Sequence, residues 1–276
     1  MRRACVIGWP VAHSRSPIIH NYWLRLLGID GEYVLQPVEP GRVGDFLHSM
    51  ASLGFVGCSV TIPHKEAAFA ALDVATPIAK ALASVNMVWL EGGRVHGTST
   101  DGEGFLANLD QNAPGWSSRP GPAVILGAGG GARAIVWALK ERGWGPIFVV
   151  NRTLGRAVEM VERLGAPLRA ASWEQLPELL RDASLLANAT PLGMVGQTPL
   201  RVDLSRLPAH ALVTDIVYAP LVTELLMAAR ARGLTTVDGL GMLLHQGVPA
   251  FERWFGKRPT VTDELRALVV ADLKRH

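Results

Sequence analysis

The sequence has little cysteine and no long apolar run. Only two cysteines, Cys5 and Cys58, occur among 276 residues, and both stand in apolar stretches typical of strands. This argues against a disulfide framework, and buried reduced thiols, as in cytoplasmic proteins, are expected instead. The first apolar run is broken at Gly8 and Pro10, and no later one reaches membrane-spanning length. We therefore expect a cytoplasmic protein with no membrane partner.

Charge is sparse as well. Charged residues make up 18% of the chain, with a net charge of +3, and the basic residues are scattered singly. A nucleic-acid surface needs basic residues clustered on one face, so no nucleic-acid partner is expected. A mild positive field instead suits small anionic ligands. The histidines His13, His20, His64 and His245 lack metal-ligand spacing, so we expect them to be structural and expect no metal site.

Apolar runs of strand length alternate with helical patterns along the chain, and 49% of the residues are hydrophobic. A strand is predicted at Arg3–Gly8, followed by a helix with Ser16 as its N-cap and Pro17 in its first turn. Two short strands near residues 85–97 are joined through Gly92-Gly93, which predicts a hairpin.

A loop rich in Pro, Gly and Ser at Asn112–Pro122 separates two series of strand and helix patterns. Repeated βα units imply parallel sheets with right-handed crossovers. We therefore predict an α/β protein with two doubly wound domains and a ligand cleft between them. The first domain is expected at residues 1–104 plus 239–276, with the C-terminal helices returning to it, and the second at residues 105–238.

The segment AVILGAGGGARAI predicts a strand, a glycine turn and a helix. Gly127, Gly129 and Ala132 match the dinucleotide fingerprint, with Ala128, Gly130 and Gly131 in the same turn. Such glycines let the backbone approach a pyrophosphate at the helix N-terminus. The alternative is a glycine-rich turn that binds no ligand.

The end of the next strand indicates which dinucleotide binds. Asn151, Arg152 and Thr153 stand where an NAD enzyme places an acidic residue, and Arg156 follows one turn later. Guanidinium groups bind a 2′-phosphate well, whereas a carboxylate repels it. We therefore predict NADP as the cofactor. The alternative is that both arginines are ordinary surface cations at the start of a helix.

Three further segments collect polar residues at strand ends: HSRSP at 13–17, SVTIPHKE at 59–66 and GTSTDGEGF at 97–105. Together with the glycine turn, the NRT segment and DGLGMLLHQ at 238–246, they resemble the shikimate dehydrogenase family over nearly the whole chain. The resemblance implies that residues 105–238 form a Rossmann NADP-binding domain and that the rest forms the substrate-binding and catalytic domain.

The resemblance also implies an activity, the reversible reduction of 3-dehydroshikimate to shikimate with NADPH, in the route to chorismate and the aromatic amino acids. The family's catalytic Lys–Asp pair falls on Lys65 and Asp101. An ammonium group at this place can donate a proton to the carbonyl oxygen as hydride reaches the carbon. The alternative is a solvated Lys65 and an Asp101 that serves only as a helix N-cap.

Further site residues follow from the same resemblance. It implies that Ser14 and Ser16 bind the substrate carboxylate. It implies that the ring hydroxyls are bound by Thr61, Asn86, Asp101 and Gln246. Tyr218 is expected beside both the substrate and the nicotinamide. It implies further cofactor contacts at Ala189, Thr190, Gly239 and Met242. Two alternatives stay open, because Ser16 can be only an N-cap and Gln246 only an exposed helix residue.

Three departures from the family pattern concern the substrate. The family usually has asparagine at the positions of Ser59 and Ser99 and threonine at that of Met87. Sites built on hydrogen bonds discriminate strongly through such groups. A quinate or aminoshikimate dehydrogenase is therefore an alternative function, and a non-catalytic NADP-binding protein is another. The sequence is compatible with a monomer or a homodimer.

Overall fold

The computed structural model describes residues 1–118 and 120–275, and the chain divides into two compact units. The first comprises Met1–Thr100 with the segment from Gln246 onward, and the second comprises Asp101–His245. These limits differ from the expected 104/105 and 238/239 by four and seven residues. The second limit falls inside a helix, where no change of composition marks it. Within the described part of the chain, no helix is long and apolar enough to cross a membrane.

The first unit contains a six-stranded sheet in the order β2-β1-β3-β5-β6-β4. Its strands are β1 (Arg2–Gly8), β2 (Gly31–Pro37), β3 (Phe55–Val60), β4 (Val74–Ala75), β5 (Met87–Glu91) and β6 (Arg94–Thr98). The helices between them are α1 (Ser16–Leu26), α2 (Val43–Ser49), α3 (Lys65–Ala70) and α4 (Pro77–Leu82).

The sheet of the first unit is mixed, so the prediction of a parallel sheet is wrong for this unit. The predicted hairpin at Gly92-Gly93 is confirmed and joins β5 to β6 in antiparallel register. Because a hairpin reverses the chain direction, one of its two strands must run antiparallel to the parallel strands β1 and β3. That strand is β5, which places Met87 opposite Ser59 of β3.

The second unit contains a six-stranded sheet in the order β12-β11-β10-β7-β8-β9. Its strands are β7 (Ala123–Leu126), β8 (Ile147–Val150), β9 (Leu168–Ala171), β10 (Leu185–Asn188), β11 (Leu212–Asp215) and β12 (Thr235–Val237). Its helices are α5 (Asp101–Asn112), α6 (Gly130–Glu141), α7 (Leu154–Leu164), α8 (Leu176–Leu179), α9 (Glu224–Ala231) and the beginning of α10 (Leu240–Phe255).

All neighbouring strands of the second sheet run parallel, which confirms the predicted Rossmann fold. The strands β7, β10 and β11 are buried along their whole length, as expected for a sheet with helices on both faces. The strand order reverses between β7 and β10. Ligands of doubly wound sheets bind beside the carboxyl ends of strands at such a reversal.

The end of α10 and the last helix, α11 (Asp263–Leu273), belong to the first unit. Trp254 in α10 is 2% exposed, and its indole Nε1 donates to the carbonyl oxygen of Val88 at 3.0 Å. A Cβ atom on Gly57 of β3 would lie 2.1 Å from that nitrogen and 2.4 Å from that oxygen. Residue 57 must therefore lack a side chain for α10 to pack on this sheet.

We expect Gly57→Ala to lower the free energy of unfolding by about 3 kcal/mol, the upper range for overpacking, because backbone and indole both obstruct the added methyl group. Gly44→Ala is the matched control. Gly44 lies in α2, and a Cβ there would make an ordinary contact of 3.6 Å with Ala71, so alanine should be neutral or slightly stabilising. Urea unfolding of both variants checks this, and equal midpoints would contradict it.

Candidate functional site

The carboxyl ends of β1 and β3 and the amino end of β5 meet at one edge of the first sheet, because β5 opposes β3. The backbone N–H of Thr61 donates to the carbonyl oxygen of Ile7 at 2.9 Å, and that of Val85 to the carbonyl oxygen of Lys65 at 3.1 Å. These bonds hold Thr61 and Lys65, both half-buried, close to the segment that carries Asn86.

The amide of Asn86 is the centre of a hydrogen-bond network in the first unit. Its Nδ2 donates to Oγ1 of Thr100 at 3.0 Å and to Oε1 of Gln246 at 3.1 Å. Its Oδ1 accepts the N–H of Thr100 at 2.8 Å, and the Thr100 hydroxyl donates to the carbonyl oxygen of Gln246 at 2.8 Å. Gln246 is thus half-buried and hydrogen-bonded, so its interpretation as an exposed helix residue is wrong. Thr100, which was not predicted from the sequence, is part of this network.

Two serine hydroxyls lie at the beginning of α1. The helix begins at Ser16 with Arg15 in the N-cap position, so the prediction of Ser16 as N-cap is wrong. The hydroxyl of Ser14 accepts a hydrogen bond from the N–H of Ser16 at 3.3 Å and donates one to Oγ of Ser16 at 3.2 Å. The bond from the N–H of Ser16 takes the place of the expected cap. Two hydroxyls at the positive end of an 11-residue helix are suited to a carboxylate.

Asp101 is the first residue of α5 in the second unit, and its side chain is 4% exposed. An acidic group in the first turn of a helix is stabilised by the helix dipole. It follows Thr100 directly, so the chain passes from the Asn86 network straight to this carboxylate.

The predicted glycine turn lies at the strand-order reversal of the second sheet. Gly127 has a φ of +106°, which favours glycine, and a Cβ there would lie 3.0 Å from the carbonyl oxygen of Ala189 and from Cγ2 of Thr190. Gly129 is the N-cap residue of α6, so the positive end of this helix faces the turn. The other predicted residues of this segment, Ala128, Gly130, Gly131 and Ala132, lie in the turn and the first turn of α6.

The four residues predicted to select NADP lie between β8 and α7. Asn151 is half-buried and donates its Nδ2 to the carbonyl oxygen of Thr153 at 2.8 Å, and Thr153 is the N-cap residue of α7. Arg152 and Arg156 are exposed, and the first turn of α7 has no acidic residue. Two guanidinium groups at a positive helix end suit a phosphate dianion.

A buried polar network joins the ends of β10 and β11. The carboxylate of Asp215 is fully buried and accepts hydrogen bonds from Nδ2 of Asn188 at 2.9 Å, N–H of Val217 at 2.9 Å and the hydroxyl of Thr223 at 2.8 Å. Oδ1 of Asn188 accepts from the N–H and hydroxyl of Thr190 at 3.0 and 2.7 Å. Burial raises the pKa of Asp215 to about 6, although its three donors act in the opposite direction.

The remaining predicted residues of the second unit lie beside this network. Tyr218 is half-buried in the segment after β11, three residues beyond Asp215. A Cβ on Gly239 would lie 2.3 Å from the carbonyl oxygen of Ile216, so this close approach requires glycine. Met242 is 8% exposed in the first turn of α10. Asn188 and Asp215 were not predicted from the sequence, although both are polar residues that directly end apolar strand patterns.

Family models match most of the chain in three successive parts. The shikimate dehydrogenase substrate binding domain matches residues 6–88, and the shikimate/quinate 5-dehydrogenase model matches residues 115–235. The shikimate 5′-dehydrogenase C-terminal domain matches residues 239–263.

Individual proteins give the same result. The NADP(+) shikimate dehydrogenase of Methylocella silvestris is 54% identical over 99% of this chain and 97% of its own. Shikimate 5-dehydrogenase from Thermus thermophilus, solved with NADP(H) and shikimate, is 38% identical, covers 100% of this chain and 99% of its own, and has a TM-score of 0.86. Quinate dehydrogenase from Corynebacterium glutamicum, solved with NAD, is 28% identical over 98% of this chain and 99% of its own, with a TM-score of 0.90.

Three family models match the chain, and the M. silvestris relative is 54% identical over 99% of it. The chain therefore belongs to the shikimate dehydrogenase family.

Proposed function

We propose that the protein catalyses the reversible, NADP-dependent reduction of 3-dehydroshikimate to shikimate, a step towards chorismate and the aromatic amino acids. The observation that carries the proposal is the edge of the first sheet, where hydrogen bonds of 2.9–3.1 Å hold Thr61, Lys65, Asn86 and Gln246. Identity of 54% to an NADP(+) shikimate dehydrogenase supports the same activity. Family membership supports the expected reaction, and the residue roles proposed below follow from the family resemblance.

The substrate is bound through its carboxylate and its ring hydroxyls. Ser14 and Ser16 at the start of α1 donate to the carboxylate. The hydroxyl of Thr61 and the amides of Asn86 and Gln246 bind the ring hydroxyls, together with Asp101. Such groups orient the carbonyl carbon of the substrate and discriminate against rings that leave a buried amide without a partner. Tyr218 lies beside the substrate and the nicotinamide.

Proton transfer is the role of Lys65. Bound NADPH supplies a hydride to the carbonyl carbon of the substrate. The ammonium group of Lys65 donates a proton to the carbonyl oxygen, which becomes the ring hydroxyl, and accepts that proton in the reverse reaction. Asp101 accepts a hydrogen bond from the same part of the substrate.

The cofactor is held by the second unit. The backbone of the Gly127–Ala132 segment and the N-terminus of α6 bind the pyrophosphate. Arg152 and Arg156 bind the 2′-phosphate, with Asn151 and Thr153 beside them. Ala189, Thr190, Gly239 and Met242 contact the nicotinamide half, and no metal takes part. We place the protein in the cytoplasm, since both of its cysteines are free and buried. We propose that it is a monomer or a homodimer.

Quinate dehydrogenase activity is the second candidate. Ser59, Ser99 and Met87 depart from the usual family residues, and the C. glutamicum quinate dehydrogenase shares the fold with a TM-score of 0.90. Its identity of 28% is nevertheless about half that of the M. silvestris relative, and both substrates fit one fold. We therefore rank shikimate first. A purely NADP-binding role is disfavoured because Lys65, Asp101 and Gln246, which a binder does not need, are all present.

The purified protein should form NADPH from NADP and shikimate, and Lys65→Met should lower kcat/KM about 10²- to 10⁴-fold, the usual contribution of general acid–base catalysis. Lys80→Met is the control, because Lys80 is an exposed lysine of α4 in the same unit. Absorbance at 340 nm measures both. The proposal is wrong if the wild type makes no NADPH, and the role of Lys65 is wrong if the two variants turn over equally.

With saturating NADP, kcat/KM for shikimate should exceed that for quinate at least about 100-fold. Quinate carries an additional hydroxyl on the carbon that bears the carboxylate, and a buried hydroxyl without a partner costs up to about 3 kcal/mol, which corresponds to about 100-fold. Initial rates with both acids decide this. Similar values, or a preference for quinate, would establish the second candidate instead.

The double variant Arg152→Ala/Arg156→Ala should raise the KM for NADP about 10²- to 10⁴-fold, because each of the two lost charge-assisted contacts is worth about 1.5–3 kcal/mol. The KM for NAD, which has no 2′-phosphate, should stay within about twofold. Arg163→Ala, at the exposed far end of α7, is the matched control. An equal rise in KM for both cofactors would contradict the assignment of the two arginines to the 2′-phosphate.

A further inference from the structure

The two oxygens of the buried Asp215 carboxylate bind different parts of the second unit. Oδ1 accepts hydrogen bonds from Nδ2 of Asn188 and from the N–H of Val217, both at 2.9 Å. Oδ2 accepts a hydrogen bond from the hydroxyl of Thr223, the N-cap residue of α9, at 2.8 Å. One oxygen therefore joins the segment after β10 to the segment after β11, and the other joins them to α9.

The segment after β10 lies directly against the glycine turn. The N–H of Ala189 donates to the carbonyl oxygen of Leu126 at 2.8 Å, and a Cβ on Gly127 would lie 3.0 Å from Cγ2 of Thr190. Oδ1 of Asn188 accepts both the N–H and the hydroxyl of Thr190, at 3.0 and 2.7 Å. The carboxylate thus fixes the amide of Asn188, and this amide fixes Thr190 beside the turn.

The segment after β11 lies between two glycines of the cofactor side. A Cβ on Gly131, in the first turn of α6, would lie 3.0 Å from Cδ1 of Ile216. A Cβ on Gly239 would lie 2.3 Å from the carbonyl oxygen of Ile216 and 2.8 Å from that of Val217. The bond from the N–H of Val217 to the carboxylate therefore holds this close-packed segment in place, and Tyr218 is the residue that follows it.

A carboxylate suits this position because one of its oxygens can accept two hydrogen bonds at once. If either segment moved away, a buried donor would lose its partner, so both segments are held in one arrangement. A site that is already ordered loses less free energy on binding than one that must be ordered by its ligand. The carboxylate thereby affects the affinity of a cofactor that it does not itself reach.

We propose that Asp215 is a positioning residue for NADP, which it serves by holding the segments of Thr190 and Tyr218 against the glycine turn. The inference rests on the proposed function, since that function assigns the nicotinamide half of the cofactor to these segments. Asp215 acts only through them and has no part in proton or hydride transfer.

A pair of substitutions at residue 215 tests this. Leucine has the branched shape of aspartate without its acceptors, whereas asparagine keeps one oxygen for Asn188 and Val217 and can donate its amide to Thr223. We expect Asp215→Leu to raise the Kd for NADP about 5- to 100-fold, the range for two net hydrogen bonds. Asp215→Asn should stay within about threefold of the wild type. Calorimetric titration with NADP measures both.

Thr223→Val is the matched control, because it removes the donor on the other oxygen of the same carboxylate. The hydroxyl of Thr223 also caps α9 through the N–H of Leu226 at 3.4 Å, so its loss should lower the urea midpoint. The Kd for NADP should nevertheless stay within about twofold, since Oδ1 keeps both of its donors.

Three outcomes would overturn the proposal. A purely structural carboxylate would lower the urea midpoint of Asp215→Leu and leave its Kd for NADP at the wild-type value. A Kd that rises equally in Thr223→Val would show that affinity merely follows stability. An Asp215→Asn variant that binds NADP as weakly as Asp215→Leu would exclude the role of the shared oxygen.

Asn188→Ala keeps the proposal testable if Asp215→Leu does not fold. It leaves the carboxylate in place and removes the amide between it and Thr190, so the Kd for NADP should rise at least about threefold. A wild-type Kd in this variant would contradict the inference. These titrations need no turnover, so a wild type that binds NADP and does not oxidise shikimate would refute the proposed function alone.

Discussion

The buried amide of Asn86 is the interaction on which the substrate-side edge of the first unit depends. It joins residues that are far apart in sequence, since Thr100 ends the β6 segment and Gln246 lies in α10. Its backbone carbonyl also accepts the N–H of Val60 at 2.8 Å, at the end of β3. A buried donor or acceptor left without a partner costs about 1–3 kcal/mol, so none of these segments can shift alone. Asn86 therefore holds these segments together through both its side chain and its backbone.

The second unit meets the same requirement by different means. Its strand ends are joined by Asp215 and Asn188, whose side chains replace the backbone partners that are missing where β10 and β11 stop. The glycine turn at Gly127 needs no such side chain, because its φ of +106° brings the backbone against Ala189 directly. The second unit thus combines a side-chain network with close backbone approach, whereas the Asn86 network of the first unit consists of amides and a hydroxyl.

This difference explains how much the sequence could reveal. The glycine turn at Gly127 and the hairpin at Gly92-Gly93 are local patterns, and both were predicted. Helix α4 was missed, although Thr76 caps it through the N–H of Ala79 at 3.4 Å and a proline follows, a signal that was available. Thr100 could not be found in this way. Its importance comes from its bond to Gln246, 146 residues away, which no local pattern contains.

The carboxyl group of Asp215 makes the stability of the second unit depend on pH. Its pKa is about 6 in the folded chain against an ordinary 3.8, so the folded state binds this proton more tightly than the unfolded state. The stability from this group is therefore fully present below pH 3.8 and is lost as the pH rises through about 6. A difference of about two pKa units corresponds to about 3 kcal/mol. At neutral pH the second unit thus gives up part of its folding free energy to keep a buried anion at the base of the loop that carries Thr190.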